Sequence, residues 1–318
     1  MTGERVVAVT GATGFLGVHL VAALAREGVR TRILARRPFE HELWRGVNLE
    51  VVRGSLDDTD ALDRLVAGAD AVIHVAGLIK ARDRAAFLRV NRDGTRAAAQ
   101  ATRRHAPEAR FIAISSLAAR EPQLSDYAAS KREGEEAARA TYGDAGDRLV
   151  IVRPPAIYGP WDRETLAIFK AASHAAIPIF GSGRTAIVHV ADAAAAVTRL
   201  ATGVGAPGLH ALADPNPAGY RMTELLGEAA RALGNRTPRF VRLPDGILLA
   251  AGRASSWWGQ IRGHAPIFTI GKAREMLHPD WSVPTDEALP PQIYRAKIGI
   301  ADGFRETAAW YRSAKWLR

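Results

Sequence analysis

The chain of 318 residues contains no cysteine, which excludes disulfide bonds and thiolate metal ligands. Long apolar runs are also missing: AIVHVADAAAAV and GILLAAG fall short of the roughly 18 apolar residues that a membrane-spanning helix needs. The first residues lack the basic and apolar regions of a signal peptide, so we expect a cytoplasmic location. No spacing of histidines and acids is typical of a metal site, and we expect none.

The charge is unbalanced, with 43 Lys and Arg against 33 Asp and Glu and a formal net charge of +10. These basic residues are scattered and form no block of five or six like charges, which argues against a nucleic-acid partner. A basic surface of this kind still attracts an anionic cofactor or substrate.

Short β-branched runs alternate with amphipathic stretches, as in RVVAVT, FLGVHLVAALARE, VRTRIL, LEVVRG, DAVIHVAG, ARFIAISS and DRLVIVRP. This alternation is typical of an α/β fold, and it predicts a doubly wound parallel sheet of the Rossmann type. We place the sheet domain at residues 1–160, continuing through about 186–204. Turn clusters and irregular spacing predict a smaller mixed region at 206–318, which would bind the substrate.

The run VVAVTGATGFLGVHL reads as a strand, a glycine loop and a helix, the context of a dinucleotide-binding site. Gly11 permits a tight turn, Gly14 lets the backbone approach a pyrophosphate, and Gly17 lets the helix pack closely on the strand. The N-terminus of the helix offers N–H groups and a positive dipole end to the anion.

The second strand ends in RILARRPF, with Arg36 and Arg37 where an NAD-preferring chain has an acid for the ribose 2′-hydroxyl. Guanidinium groups pair bidentately with phosphate oxygens, so this pattern favours NADP. Two exposed loop arginines with no such role remain an alternative, and NAD remains possible.

Together, TGATGFLG, HVAG, NRDGT, ISS, YAASK and RPPAIYGP resemble the short-chain dehydrogenase/reductase superfamily, in its extended branch that includes NAD-dependent epimerases and dehydratases. The resemblance covers the whole chain, is specific over about the first 190 residues, and lies on the reductase side of the branch. It implies a Rossmann fold and often a homodimer.

The resemblance assigns catalytic roles to Ser116, Tyr127 and Lys131. Tyr127 and Lys131 are four residues apart, so on a helix they share a face, and an ammonium lowers the pKa of a nearby phenol from its usual value of about 10. The tyrosine would then exchange a proton with the substrate oxygen while the serine hydroxyl holds that oxygen. Ser116 is assigned to the substrate and Ser115 to the cofactor, although the reverse order stays open.

The remaining cofactor contacts also follow from the resemblance. Lys131 would bind the nicotinamide ribose, and Asn91 would anchor a backbone carbonyl or a relay water, unless its role is purely structural. With the three glycines and two arginines above, the expected cofactor-binding residues are Thr13, Phe15, Leu16, Ser55, Leu56, Asp57, Val75, Ala76, Gly77, Asn91, Ser115, Lys131, Pro154 and Ile157.

Three departures from the family pattern bear on function. Ser55 stands where an acid often contacts the adenine, only eleven positions separate Ser116 from Tyr127, and no acid follows Ser116 within three residues. We therefore expect an NADP-dependent oxidoreductase that transfers a hydride between nicotinamide and a small-molecule carbonyl or secondary alcohol. One alternative is an NAD-dependent sugar-nucleotide epimerase. The other is a non-catalytic NADP(H)-binding scaffold or sensor, which would use the stretch ILLAAGRASSWWGQIRG at an interface.

Overall fold

The computed structural model describes residues 5–203, 206–262 and 268–317. Its strands are β1 (Val6–Thr10), β2 (Arg30–Ala35), β3 (Leu49–Arg53), β4 (Ala71–His74), β5 (Arg110–Ile114), β6 (Leu149–Arg153), β7 (Ala156–Tyr158), β8 (Ala176–Ile179), β9 (Arg184–Thr185), β10 (Ile187–His189), β11 (Gly208–Ala211), β12 (Tyr220–Arg221), β13 (Arg239–Arg242) and β14 (Asp280–Trp281).

Its helices are α1 (Phe15–Arg26), α2 (Thr59–Val66), α3 (Arg84–Leu88), α4 (Gly94–His105), α5 (Asp126–Tyr142), α6 (Leu166–Ala172), α7 (Val190–Thr202), α8 (Met222–Ala232), α9 (Asp245–Arg262), α10 (Ile270–Leu277) and α11 (Ile300–Ser313). Short 3-10 turns cover Glu42–Trp44, Leu117–Arg120 and Gly143–Arg148. A π-helical segment, Arg89–Asp93, joins α3 to α4.

Seven strands of the described chain form one sheet in the order β11-β6-β5-β4-β1-β2-β3. The neighbouring pairs from β3 to β6 are parallel; Val7 of β1, for example, lies between Thr31 of β2 and Ala71 of β4. The strand order reverses beside β1, which is where doubly wound sheets bind their ligands. The predicted α/β fold with a doubly wound parallel sheet is therefore confirmed.

The central strands are apolar because helices cover both of their faces. Every residue of β4 and β6 is buried, so neither strand has the alternating polar face of a half-exposed sheet. A core cluster joins the sheet to α2 and α4 through residues such as Leu62, Leu65, Ala98 and Phe111. Since the strands are parallel, the loops that leave β1, β4 and β5 all emerge at one edge of the sheet.

The chain divides into two compact units. The first consists of Met1–Arg153, Ala194–His210 and Leu289–Arg295, and the second of Pro154–Ala193, Ala211–Ala288 and Ala296–Arg318. The second unit begins at Pro154, directly after β6, and its first strand, β7, pairs with β10 in a separate parallel sheet. The predicted domain bounds, 1–160 with 186–204 and then 206–318, stay predictions.

The second unit is mixed, with a three-stranded sheet β12-β9-β14 and a parallel pair of β13 and β8 within its described residues. Its core is aromatic and includes Tyr158, Phe169, Phe304 and Tyr311. Gly303 of α11 lies against this core, where an added Cβ would fall 2.2 Å from the phenol oxygen of Tyr158. In the part of the chain that the structure describes, none of the helices combines the length and apolarity that crossing a bilayer requires.

Candidate active site

The glycine loop after β1 has the geometry that its sequence predicts. Gly11 has φ +70°, and a Cβ there would lie 2.4 Å from the backbone nitrogen of Ala76, so only glycine fits between β1 and the end of β4. A Cβ on Gly17 would lie 2.2 Å from the carbonyl oxygen of Gly11, which explains the close packing of α1 on the loop. The amide of Gly14 closes the turn by donating to the same oxygen at 3.0 Å.

The N-terminus of α1 is open to an anion. Gly14 is the N-cap and supplies no side-chain cap, and the first turn of α1 contains no acidic residue. Thr13 and Gly14 are exposed, Phe15 is partly exposed, and Leu16 is buried. The uncapped N–H groups and the positive end of the helix dipole therefore face the exposed loop, as a pyrophosphate requires.

Arg36 and Arg37 are both exposed and directly follow β2. The carbonyl of Ala35 accepts a hydrogen bond from the amide of Gly54 at 3.3 Å, so the two arginines leave the sheet beside the segment that follows β3. Two exposed cations at this position can pair with an anionic group.

The segment after β3 is held by local contacts. The hydroxyl of Ser55 accepts from the amide of Asp57 at 3.3 Å, and Asp57 itself is exposed. Leu56 packs on α4, where a Cβ on Gly94 would lie 2.7 Å from its Cδ1 atom. Ser55 and Leu56 thus have structural contacts of their own, and the cofactor contacts of all three residues stay predictions.

Asn91 is buried in the π-helical segment, a type of distortion that is frequent at functional sites. Its Oδ1 accepts from the amide of Leu78 at 2.7 Å, and its Nδ2 donates to the carbonyl of Leu78 at 3.0 Å and to the hydroxyl of Ser130 at 2.8 Å. The side chain therefore ties the segment that follows β4 to α5. These bonds account for the structural role left open for Asn91, and contact with a cofactor stays a prediction.

Ser115 and Ser116 point in different directions at the end of β5. The Ser115 hydroxyl is buried and donates to Oε1 of Glu135 at 2.6 Å. The Ser116 side chain is partly exposed, caps the turn Leu117–Arg120, and accepts from the amide of Ala118 at 3.2 Å. Of the two orders left open, the structure thus favours Ser116 as the accessible hydroxyl.

Tyr127 and Lys131 lie one turn apart near the start of α5, and both are partly exposed. The Lys131 Nζ donates to the carbonyl of Ile114 at 2.8 Å, which ties α5 to the end of β5 two residues before Ser116. A Cβ on Gly77 would lie 3.3 Å from the same nitrogen. Lys131 therefore joins the ends of β4 and β5 to the helix that carries Tyr127.

Although the Lys131 side chain as a whole is partly exposed, burial of its ammonium lowers the pKa to about 8, and the negative charge of Glu135 one turn away opposes that effect. The nearby imidazole of His74 is fully buried and bonded to the Thr10 hydroxyl at 2.8 Å. Burial, with a further contribution from the Lys131 charge, lowers the pKa of His74 to about 3. His74 is therefore neutral and packed at neutral pH, and Lys131 is the cation at this site.

A buried ion pair underlies Ser115 and Lys131, and the sequence did not reveal it. Arg153 donates to both carboxylate oxygens of Glu135, at 2.8 and 2.7 Å, and the side chains are 4% and 1% exposed. Glu135 follows Lys131 by four residues, so the helical spacing could have placed this carboxylate beside the lysine. Its partner at the end of β6 is distant in sequence, and only the sheet topology brings the two together.

The last four predicted cofactor residues belong to different parts of the chain. Val75 and Ala76 adjoin the glycine loop, and the amide of Val75 donates to the carbonyl of Thr10 at 3.1 Å. Pro154 and Ile157 belong to the second unit, where Ile157 pairs with Val188, and their cofactor contacts stay predictions. Among the described residues, no group of three or more His, Asp and Glu side chains could hold a metal ion.

Solved structures resemble the chain over nearly its whole length. The crystal structure of gox2253 has a TM-score of 0.79 at 22% identity and covers 99% of this chain and 100% of its own. MoeE5 in complex with UDP-glucuronic acid and NAD has a TM-score of 0.69 at 22% identity and covers 98% and 99%. At these identities the likeness establishes the fold alone.

Sequence comparison is more specific. The chain is 50% identical over 317 residues to a ceramide reductase of Caulobacter vibrioides, covering 98% of this chain and 96% of the relative. It is 34% identical over 238 residues to the (4-alkanoyl-5-oxo-2,5-dihydrofuran-3-yl)methyl phosphate reductase of Streptomyces griseus, covering 74% and 76%. Residues 7–208 match the model of the NAD dependent epimerase/dehydratase family. The glycine loop, the sheet order and these matches agree, and the chain belongs to the NAD-dependent epimerase/dehydratase family, on its reductase side.

Proposed function

We propose that the chain is an NADPH-dependent reductase of a lipid ketone, with Ser116, Tyr127 and Lys131 at its catalytic centre. One observation carries this proposal: Lys131 follows Tyr127 by one turn of α5, and its ammonium donates at 2.8 Å to the carbonyl of Ile114, two residues before Ser116. A proton donor, a cation and an accessible hydroxyl thus come from two elements that one hydrogen bond ties together.

Each residue has a role that its chemistry supports. The phenol of Tyr127 donates a proton to the carbonyl oxygen as that oxygen gains negative charge, and the Ser116 hydroxyl donates a hydrogen bond to the same oxygen. The positive charge of Lys131 favours the tyrosinate that remains. Since burial lowers the pKa of Lys131 only to about 8, the side chain stays mostly protonated at neutral pH.

The chain's residues fit a dinucleotide phosphate. The close approach of Gly11 to Ala76 and the uncapped start of α1 are suited to the pyrophosphate, and exposed Arg36 and Arg37 to a 2′-phosphate. When bound, the nicotinamide supplies the hydride that reduces the carbonyl carbon. The absence of an acid where NAD-binding chains place one favours NADPH over NADH.

The relative named ceramide reductase supports the substrate class, since it is 50% identical over almost the full length. A ceramide is an N-acylated long-chain amino alcohol, and its secondary hydroxyl is the product expected from reduction of a ketone. We therefore propose an N-acylated long-chain amino ketone as substrate, reduced at the carbon next to the one that bears the amide.

The test is NADPH oxidation at 340 nm with a short-acyl amino ketone of this class, dispersed in detergent. Tyr127→Phe should lower kcat about a hundredfold or more without changing the Kd of NADPH, because it removes the proton donor alone. Tyr142→Phe is the matched control on the same helix: it removes a buried hydroxyl that lacks a hydrogen-bond partner within the described residues, and should leave kcat unchanged. Equal rates for Tyr127→Phe and the wild type would remove Tyr127 from the mechanism.

A further inference from the structure

Within the second unit, helix α9 packs on α10 through small residues. Gly252 and Ser256, four residues apart, face α10, and Leu248, one turn earlier, is buried. A Cβ on Gly252 would lie 3.0 Å from the Cα of Ile270, and the Ser256 hydroxyl accepts from the amide of Ile270 at 3.0 Å. This close contact fixes which side of α9 is turned away from α10.

The opposite side is apolar and exposed. Ile247, Trp257 and Trp258 are 51%, 61% and 51% exposed, although an aromatic helix of a soluble unit ordinarily buries such side chains. At about 100° per residue they share an arc of roughly 120° with the exposed alanines of α9. The members of this outer stripe are Ile247, Ala250, Ala251, Ala254, Trp257 and Trp258.

The segment that runs from β13 through the outer stripe carries a net positive charge. Residues 239–258 contain three arginines and one acid. Arg253 is exposed on α9 at the edge of the stripe, and Arg239 and Arg242 are exposed on β13. The acid, Asp245, accepts from the amide of Gly181 at 2.8 Å, so its carboxylate is bonded to the body of the unit.

We propose that the outer stripe of α9 docks on a bilayer that contains anionic phospholipid. Tryptophan rings prefer the boundary between headgroups and acyl chains, and arginines beside them pair with lipid phosphates. An N-acylated long-chain substrate dissolves in membranes, so the bilayer would also hold the substrate; this part of the proposal rests on the proposed function. A symmetric contact with a second copy would instead bring the same arginines towards each other.

The experiment measures co-sedimentation of the cofactor-free protein with sucrose-loaded vesicles. One set is phosphatidylcholine, and the other is equal parts phosphatidylcholine and phosphatidylglycerol. The wild type should bind the anionic vesicles at least about tenfold more tightly than the neutral ones. Trp257→Ala/Trp258→Ala and Arg253→Glu should each weaken that binding about tenfold or more. Val51→Ala, which alters a side chain 51% exposed in the first unit, is the control and should bind like the wild type.

Absence of vesicle binding by the wild type, or equal binding by the double tryptophan variant, would overturn the proposal. The proposal would also be overturned by a dimer or a protein complex that dissociates when the tryptophans are replaced but is unaffected by vesicles. Circular dichroism verifies that the variants are folded. Vesicle binding is measured without cofactor or ketone, so failure of the chain to reduce any ketone would refute the proposed function and leave the docking result intact.

Discussion

Replacement of Glu135 by alanine tests the buried ion pair beneath the catalytic edge. The side chain accepts two hydrogen bonds from Arg153, at 2.8 and 2.7 Å, and one from the Ser115 hydroxyl at 2.6 Å. Glu135→Ala removes the carboxylate from beside a guanidinium that is 4% exposed.

The magnitude follows from burial. An exposed ion pair contributes at most about 1 kcal/mol, because water replaces either partner. Removal of one partner from a buried pair costs about 3–5 kcal/mol, because the remaining charge keeps its desolvation penalty. We therefore expect Glu135→Ala to lower the free energy of unfolding by about 3–5 kcal/mol, and Glu135→Leu/Arg153→Met to recover most of that loss.

Urea denaturation followed by circular dichroism measures this difference. Glu136→Ala is the matched control, since Glu136 is the exposed neighbour on the same helix and its removal should change the free energy of unfolding by no more than about 0.5 kcal/mol. A loss below about 1 kcal/mol for Glu135→Ala, or a double variant less stable than the single one, would show that the pair does not carry the desolvation cost of a buried ion pair.

Three further predictions concern the cofactor, the lysine and the second unit. Arg36→Ala/Arg37→Ala should weaken NADPH binding at least about tenfold and spare NADH in fluorescence titrations; equal losses would show that the arginines do not bind the 2′-phosphate. Because burial lowers the pKa of Lys131 from 10.5 to about 8, the unfolded chain binds more protons between these values. Wild-type stability relative to Lys131→Met should therefore rise by up to about 3 kcal/mol between pH 7 and 10, and a flat difference would contradict that pKa. Gly303→Ala, which places a methyl group 2.2 Å from a buried phenol oxygen, should destabilise by about 1–3 kcal/mol, whereas Gly246→Ala, with open space around the added Cβ in α9, should not; equal melting curves would contradict that packing.

The fold was predictable because its signals are local. Apolar strands of four to six residues, the glycine loop and the helical spacing of Tyr127 and Lys131 are all visible in short windows of sequence. These windows also predicted a tight turn at Gly11 and close packing of the helix at Gly17, and the structure has a positive φ at Gly11 and no room for a Cβ at either position. Local patterns suffice where the physical cause lies within one strand, turn or helix.

Long-range pairings were not predictable in the same way. The partnership of Glu135 with Arg153 depends on the register of β6 beside β5, and the bond of Asn91 to Ser130 depends on how two helices meet. The sequence of α9 likewise does not tell which side faces α10, because apolar residues lie on most sides of the helix. Gly252 decides that question, through a contact visible only in three dimensions.

The most direct test of the proposed function is isotope transfer from the cofactor. The purified chain is incubated with an N-acylated long-chain amino ketone and NADPH that carries deuterium at the transferred position. We expect one deuterium on the carbinol carbon of the alcohol for each NADPH oxidised, and at least about a hundredfold slower transfer by Tyr127→Phe. An alcohol without deuterium, or a substrate rearranged with no net oxidation of NADPH, would contradict it and favour an epimerase.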